Sequence, residues 1–302
     1  MPGRDAVHRL RRSRPGAVAT DAAKSALRAV GMVTASVRSP PDYLVIGAKR
    51  GGTTSLHAYL AEHPGVLPLF PRPQKIKGTY FFTDEWPRGP RWYRSHFPTT
   101  ITRRRAARHL GYDPVAGDSS PYYLFHPLAP ARAASMVPEA RVIALLRDPA
   151  ERAFSHYNER RSNGTEPLDF EDAVEAEGER CAGEEERILA DPTYVSFAHR
   201  HQSYLGQSRY ALPVRRWLDA FPNGRVLVLP AEELYRDPQG TYDRICGHLG
   251  LPEHTLRDPR VHNAVPSAAL DPSTRARVRA ALADDVGDLE RLLGRPMGWS
   301  LD

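Results

Sequence analysis

Three short stretches of the chain contain no polar interruption: Tyr43–Ile46, Val142–Leu146 and Val226–Leu229. Each is rich in Val, Ile or Leu and lacks the in-out alternation of a half-solvated strand. Such runs suit strands covered on both faces of a parallel sheet. Between them lie segments with helical spacing: Thr54–Glu62, Ala150–Arg161, Phe170–Glu177, Leu212–Phe221, Gly240–Leu249 and Pro272–Leu293. Strand and helix alternate, which predicts an α/β fold with right-handed crossovers and helices on both faces of a central parallel sheet. Ligands in such folds bind beyond the carboxyl ends of the strands. The acidic stretch from Glu171 to Glu186 reads as a solvated helix face with its connecting loop. Ser39-Pro40-Pro41 breaks the pattern, because proline disfavours helix in the residue before it. The boundary divides a basic, flexible arm (residues 1–40) from one large domain (residues 41–302).

Charge refines this division. The formal net charge is +6, and residues 1–40 hold eight basic against two acidic side chains, so the domain itself is neutral overall. The basic balance therefore gives no reason to expect a nucleic-acid-binding domain. A weak peripheral contact of the arm with an anionic membrane is compatible with it. Residues 17–37 lean apolar, but Asp21, Lys24 and Arg28 cut them below the ~20 apolar residues of a spanning helix. A soluble, cytoplasmic protein is expected. Cys181 and Cys246 have neither metal-ligand spacing nor the density of a disulfide framework. Four Lys beside 38 Arg, with abundant Ala and Pro, match a GC-rich bacterial composition.

The informative residues follow the apolar runs. After Ile46 comes Gly47-Ala48-Lys49-Arg50-Gly51-Gly52-Thr53-Thr54-Ser55. Glycines let backbone N–H groups turn inward toward an anion. A helix beginning near Thr53 adds the positive end of its dipole. The hydroxyls of Thr53, Thr54 and Ser55 are donors, and Lys49 or Arg50 supplies full charge where a leaving group becomes negative. The nucleotide triphosphatase pattern G-x-x-x-x-G-K-[ST] is nearly met by Gly47 and Gly52, but Thr53 stands where its Lys belongs. After Leu146 the next residue is Arg147 rather than the Asp of a magnesium site. The loop reads as a cradle for a phosphate-type anion without a triphosphate and its metal.

A second strand-to-helix turn repeats the logic in "RVIALLRDPAERAFSHYNERR". Arg147 projects from the strand's carboxyl end and is suited to bidentate grip on a phosphate. Pro149 sits in the first helical turn. Ser155 lies about two helical turns further on, and Arg152 is three residues before it. Two such sites would serve a ligand with two separated phosphate groups.

Together, "GAKRGGTTSL" and "LLRDPAERAFSHY" resemble the sulfotransferases that use 3′-phosphoadenosine 5′-phosphosulfate, above all bacterial members similar to the heparan-sulfate and carbohydrate type. "WYRSHFP", "GDSSPYYLFHP", "LPAEELYRDP", "HLGLP", "HNAVP" and "LLGRPMGW" follow in that family's order across residues 41–302. The resemblance implies a P-loop-like three-layer α/β/α fold. It also implies in-line sulfuryl transfer to a hydroxyl or amine of a carbohydrate or other small acceptor, with no metal. Residues 49–55 would hold the 5′-phosphosulfate, and Arg147 and Ser155 the 3′-phosphate. Matching the glycines places Arg50 where the family has its loop Lys, with Lys49 beside it.

The family also carries a Lys-Glu pair four residues before Phe-Phe, the Glu acting as base. In "QKIKGTYFFTDEW" Lys77 keeps the Lys and Gly78 replaces the Glu. Asp118, at a family position near the acceptor, is the favoured carboxylate, with Asp84, Glu85, His57 and His96 as alternatives. Trp86, Trp92, Tyr93, Tyr122 and Tyr123 would stack on a sugar or pack the core, the core being favoured for Trp92 and for Trp217. Asn263 would help cover the nucleotide. The competing readings are a P-loop-type small-molecule kinase and a catalytically inactive nucleotide-binding relative.

Overall fold

The computed structural model describes residues 25–71, 76–260 and 269–299. Four strands form one parallel sheet: β1 (Tyr43–Gly47), β2 (Gly117–Ser119), β3 (Arg141–Leu146) and β4 (Val226–Pro230), in the order β2-β1-β3-β4. Among the helices are α1 (Thr53–Glu62), α2 (Thr100–Leu110), α3 (Ala129–Met136), α4 (Pro149–Ser162), α5 (Ala211–Ala220), α6 (Pro238–Leu249) and α7 (Pro272–Leu293). The three apolar runs are β1, β3 and β4, and the expected three-layer architecture is present. Phe170–Glu175 and Glu177–Cys181 are two helices where one was expected.

Side chains alternate across the sheet as the period of two demands. Tyr43, Val45, Ile143, Leu145 and Leu229 face α1 and α6, meeting Leu56, Tyr59, Tyr242 and Ile245. Leu44, Ile46, Val142, Ala144 and Leu146 face the other way, against Ala133, Val214, Trp217, Val286 and Leu289 of α3, α5 and α7. Both faces are sealed, so the polar backbone at the strand tips is where a ligand gains access.

β2 was not expected. Its three residues, Gly117, Asp118 and Ser119, carry no apolar signal, and they pair only with β1 at the sheet edge. α2 was also missed, since none of its residues is buried. Its ends are set by caps instead: the Thr99 hydroxyl accepts from the Thr102 N–H, and Gly111 closes the last turn at φ 80°.

Part of the arm is described. Residues 25–33 are helical, and Arg38 donates to the Phe97 carbonyl and lies 4.2 Å above the Phe70 ring. Residues 1–24, the "HNAVP" segment and Asn263 lie outside the described residues.

Buried imidazoles make this fold acid-sensitive. Burial, with Arg28 nearby, holds His96 down to about 4; burial beside Arg132 holds His126 to about 3. His199, buried on the Tyr122 hydroxyl at 2.8 Å, is held to about 4. An unfolded imidazole titrates near 6.5, so between there and about 4 the unfolded chain binds more protons. Stability should therefore fall as pH drops from about 6.5 toward 4, by at most about 1.4 kcal/mol per unit for each ring. Thermal melts at pH 7.5 and 5.0 check this; equal midpoints would contradict neutral burial.

Candidate active site

The order of the sheet puts β1 beside β3, and so puts the two strand-to-helix turns side by side. The first turn rests directly on the tip of β3. The Ala48 N–H donates to the Leu145 carbonyl at 2.6 Å, and a Cβ on Gly51 would lie 2.5 Å from that same oxygen. Only glycine permits that approach. Arg50 and Gly52 take left-handed φ of 69° and 86°, which coil the loop before α1 starts at Thr53.

The two cations of the loop diverge. Arg50 Nε donates to Ser155 Oγ at 3.0 Å, spanning directly from the first turn to α4. Lys49 turns beneath it. Its Nζ meets His156 Nε2 at 3.1 Å and Glu159 Oε2 at 2.9 Å. Burial lowers Lys49 to about 8, only partly offset by Glu159. The neighbouring His156 is buried between Lys49 and Arg152, which push its proton affinity well down in addition to desolvation.

The second turn is built as a cap. Asp148 accepts from the Glu151 N–H at 3.0 Å and pairs with Arg279 at 2.9 Å. Tyr210 donates its hydroxyl to the Arg147 carbonyl at 3.0 Å, fixing the backbone behind the arginine. The Arg147 guanidinium is half-buried, with Glu151 at 3.6 Å. Arg152 does not share this face. It is fully buried, donating to Ser208 Oγ at 2.7 Å and to the Tyr204 carbonyl. Tyr235 covers the first turn: a Cβ on Gly52 would lie 2.7 Å from its hydroxyl. Burial raises the Tyr235 phenol, while Arg147 and Arg50 oppose that from close by. Thus Arg50 and Lys49 tie the first loop to α4, the helix that follows the turn carrying Arg147.

Comparison with known proteins decides what kind of cleft it is. The profile of the sulfotransferase domain matches residues 40–265. The chain belongs to the sulfotransferase domain family. It is 30% identical over 218 residues to human bifunctional heparan sulfate N-deacetylase/N-sulfotransferase 3, spanning 71% of this chain and 23% of that protein. It is 29% identical over 211 residues to mouse heparan sulfate glucosamine 3-O-sulfotransferase 3B1, spanning 70% of this chain and 46% of that one. The chain thus covers less than half the length of either relative. The crystal structure of a sulfotransferase from Alicyclobacillus acidocaldarius superposes with a TM-score of 0.61 at 26% identity, over 85% of this chain and 97% of that one.

The remaining expected residues separate into two groups. Lys77 reaches the cradle, its Nζ donating to Thr54 Oγ1 at 3.3 Å, and burial lowers its proton affinity. Beside it opens a cavity of about 550 Å³ lined by His57, Leu67, Leu69 and Ile76. His57 is held to about 4 by burial and by Lys77, so it is neutral at ordinary pH. Gly78 is closed to any side chain: a Cβ would lie 2.1 Å from the Ser119 carbonyl and 2.4 Å from Ser120 Oγ.

Asp118 sits under this segment rather than in the cleft. It is fully buried, and each carboxylate oxygen accepts twice: Oδ1 from the Thr79 N–H (2.9 Å) and Ser120 Oγ (2.7 Å), Oδ2 from Thr79 Oγ1 (2.6 Å) and Tyr123 OH (2.8 Å). Asp84 is ion-paired with Arg200, and Glu85 with Arg88. His96 is buried against Trp92, with ring centroids 4.3 Å apart. Trp86, Trp92 and Tyr93 pack around Phe81, and Tyr122 faces His199, so these rings build the core. Trp217 is fully buried, as expected.

Glu159 was not among the residues that the sequence singled out. It lies one turn beyond Ser155 on α4, and that spacing is the signal that both would face the loop. Tyr235 was quoted only within its motif.

Asp118→Ala would leave buried donors without an acceptor, which costs about 3–5 kcal/mol. A large drop in the urea midpoint is expected, and an unchanged midpoint would show that Asp118 does not anchor the Lys77–Tyr80 segment.

Proposed function

We propose that this sulfotransferase takes the sulfuryl group from 3′-phosphoadenosine 5′-phosphosulfate and passes it to a hydroxyl or amine of a carbohydrate or other small acceptor. The direct bond between Arg50 and Ser155 carries this reading, since it sets the loop suited to a phosphosulfate against the helix suited to a second phosphate. The backbone of residues 49–54, with Thr53, Thr54 and Ser55 at the start of α1, would hold the 5′-phosphosulfate. Arg147 and Ser155 would hold the 3′-phosphate. The similarity to heparan sulfate N- and 3-O-sulfotransferases supports a carbohydrate acceptor.

The transfer breaks the bond from sulfur to the bridging oxygen of the donor and forms a bond from sulfur to the acceptor atom. Negative charge develops on the departing phosphate, and the cationic loop with Lys77 is placed to stabilise it. The acceptor proton must leave in the same step. Asp118 has its oxygens saturated by four donors, and no side chain fits at position 78. We assign the base to Glu159. Burial pushes its carboxyl up, but Lys49, Arg160 at 3.2 Å and Arg50 outweigh this and hold it ionised. The cavity beside Lys77 and His57 offers space for the acceptor.

Calorimetry with 3′,5′-adenosine bisphosphate tests the donor assignment. Arg147→Ala should weaken that ligand about 10–100-fold while changing ATP affinity little. Equal losses for both would remove the 3′-phosphate role. Glu159→Gln should lower turnover of labelled donor about 100-fold or more, with bisphosphate affinity within about threefold of wild type. Full turnover in that variant would transfer the proton to another group.

A further inference from the structure

The arginines are not evenly spread. Residues 86–112 contain seven Arg and no Asp or Glu, and residues 1–40 are the other basic segment. The fold brings these two together. Arg38 bridges to Thr99 in antiparallel pairing, Arg91 Nε donates to the Met32 carbonyl at 3.1 Å, and Gly31 approaches the Ser95 carbonyl too closely for any Cβ to fit unstrained. The described end of the arm is therefore docked on the arginine-rich segment.

What this pair of helices leaves outward is unusual for a solvated surface. Val30, Val33 and Val37 recur at spacings of three and four and are 50%, 74% and 47% exposed. Ile101, 59% exposed, lies in the first turn of α2, two residues beyond Thr99, which bridges to Arg38 one residue after Val37. On α2, Ile101, Arg104, Arg105 and Arg108 fall at i, i+3, i+4 and i+7, one face of the helix. The three arginines are exposed and make no ion pair among the described residues. Arg103, on the neighbouring face, is already taken by Asp42 at 2.7 Å.

We propose that this face, Val30, Val33, Val37 and Ile101 edged by Arg104, Arg105 and Arg108, docks the enzyme on an anionic phospholipid surface. Branched apolar side chains beside unpaired arginines match the boundary between acyl chains and phosphate headgroups. The valines enter the apolar side, and the arginines reach the phosphates. A soluble polyanion would use the arginines but gains nothing from the apolar row. No helix of the described residues is long and apolar enough to cross a membrane, so attachment here is to the surface.

The test is co-sedimentation of the full chain with phosphatidylcholine vesicles, plain or containing about 30 mol % phosphatidylserine. Binding to the anionic vesicles should be at least about tenfold tighter and should weaken with salt. Val33→Asp with Ile101→Asp, and separately Arg104→Glu with Arg105→Glu, should each reduce it about tenfold or more. Affinity for 3′,5′-adenosine bisphosphate should be unchanged in both pairs, which shows that they fold. Three outcomes overturn the proposal. The first is equal binding to both vesicle types. The second is full anionic binding by the Val33→Asp, Ile101→Asp protein, which would leave charge alone as the carrier. The third is a wild-type dimer in solution that either pair of substitutions dissociates.

Discussion

The contact on which the site depends is the one between the first loop and the tip of β3. With the Ala48 amide on the Leu145 carbonyl and no room for a side chain at Gly51, the cradle is pressed onto the neighbouring strand. β3 then runs straight into Arg147 and α4. Because β1 and β3 are adjacent in the sheet, two turns distant in the chain lie side by side. Every other feature of the site, from Arg50 on Ser155 to Tyr235 over Gly52, follows from that adjacency.

Much of this was readable from the chain, and the reasons for the exceptions are physical. β1, β3 and β4 are buried on both faces, so their residues are uniformly apolar and their positions show directly. β2 holds an aspartate at its centre and is stabilised by hydrogen bonds that a hydropathy pattern does not record. α2 buries nothing and is held by its caps, so no periodic signal marks it. Lys49 and Arg50 are adjacent in sequence, and only the coil of the loop shows that one reaches α4 at Ser155 and the other passes beneath to Glu159. The aromatic residues, open between sugar stacking and core packing on sequence grounds, are resolved by their contacts with Phe81 and His199.

Gly78 and Asp118 are two sides of one local arrangement. The segment from Lys77 to Tyr80 lies so close on Ser119 and Ser120 that position 78 has no volume for a side chain, and Asp118 secures it from below through Thr79. The tight seat that aims Lys77 at Thr54 is incompatible with a carboxylate at the next residue. Glu159, a carboxylate from α4, lies instead at 2.9 Å from the loop cation Lys49.

The hydroxyl of Ser155 illustrates what such closeness achieves. Arg50 occupies a lone pair of its oxygen, so the hydroxyl proton is left to point away from the arginine and is a stronger donor for having a cation behind it. Charge at one end of the cleft is thereby felt at the other through a single polarised O–H group. Binding of the proposed donor at its two ends would then be cooperative, even if neither strand moved.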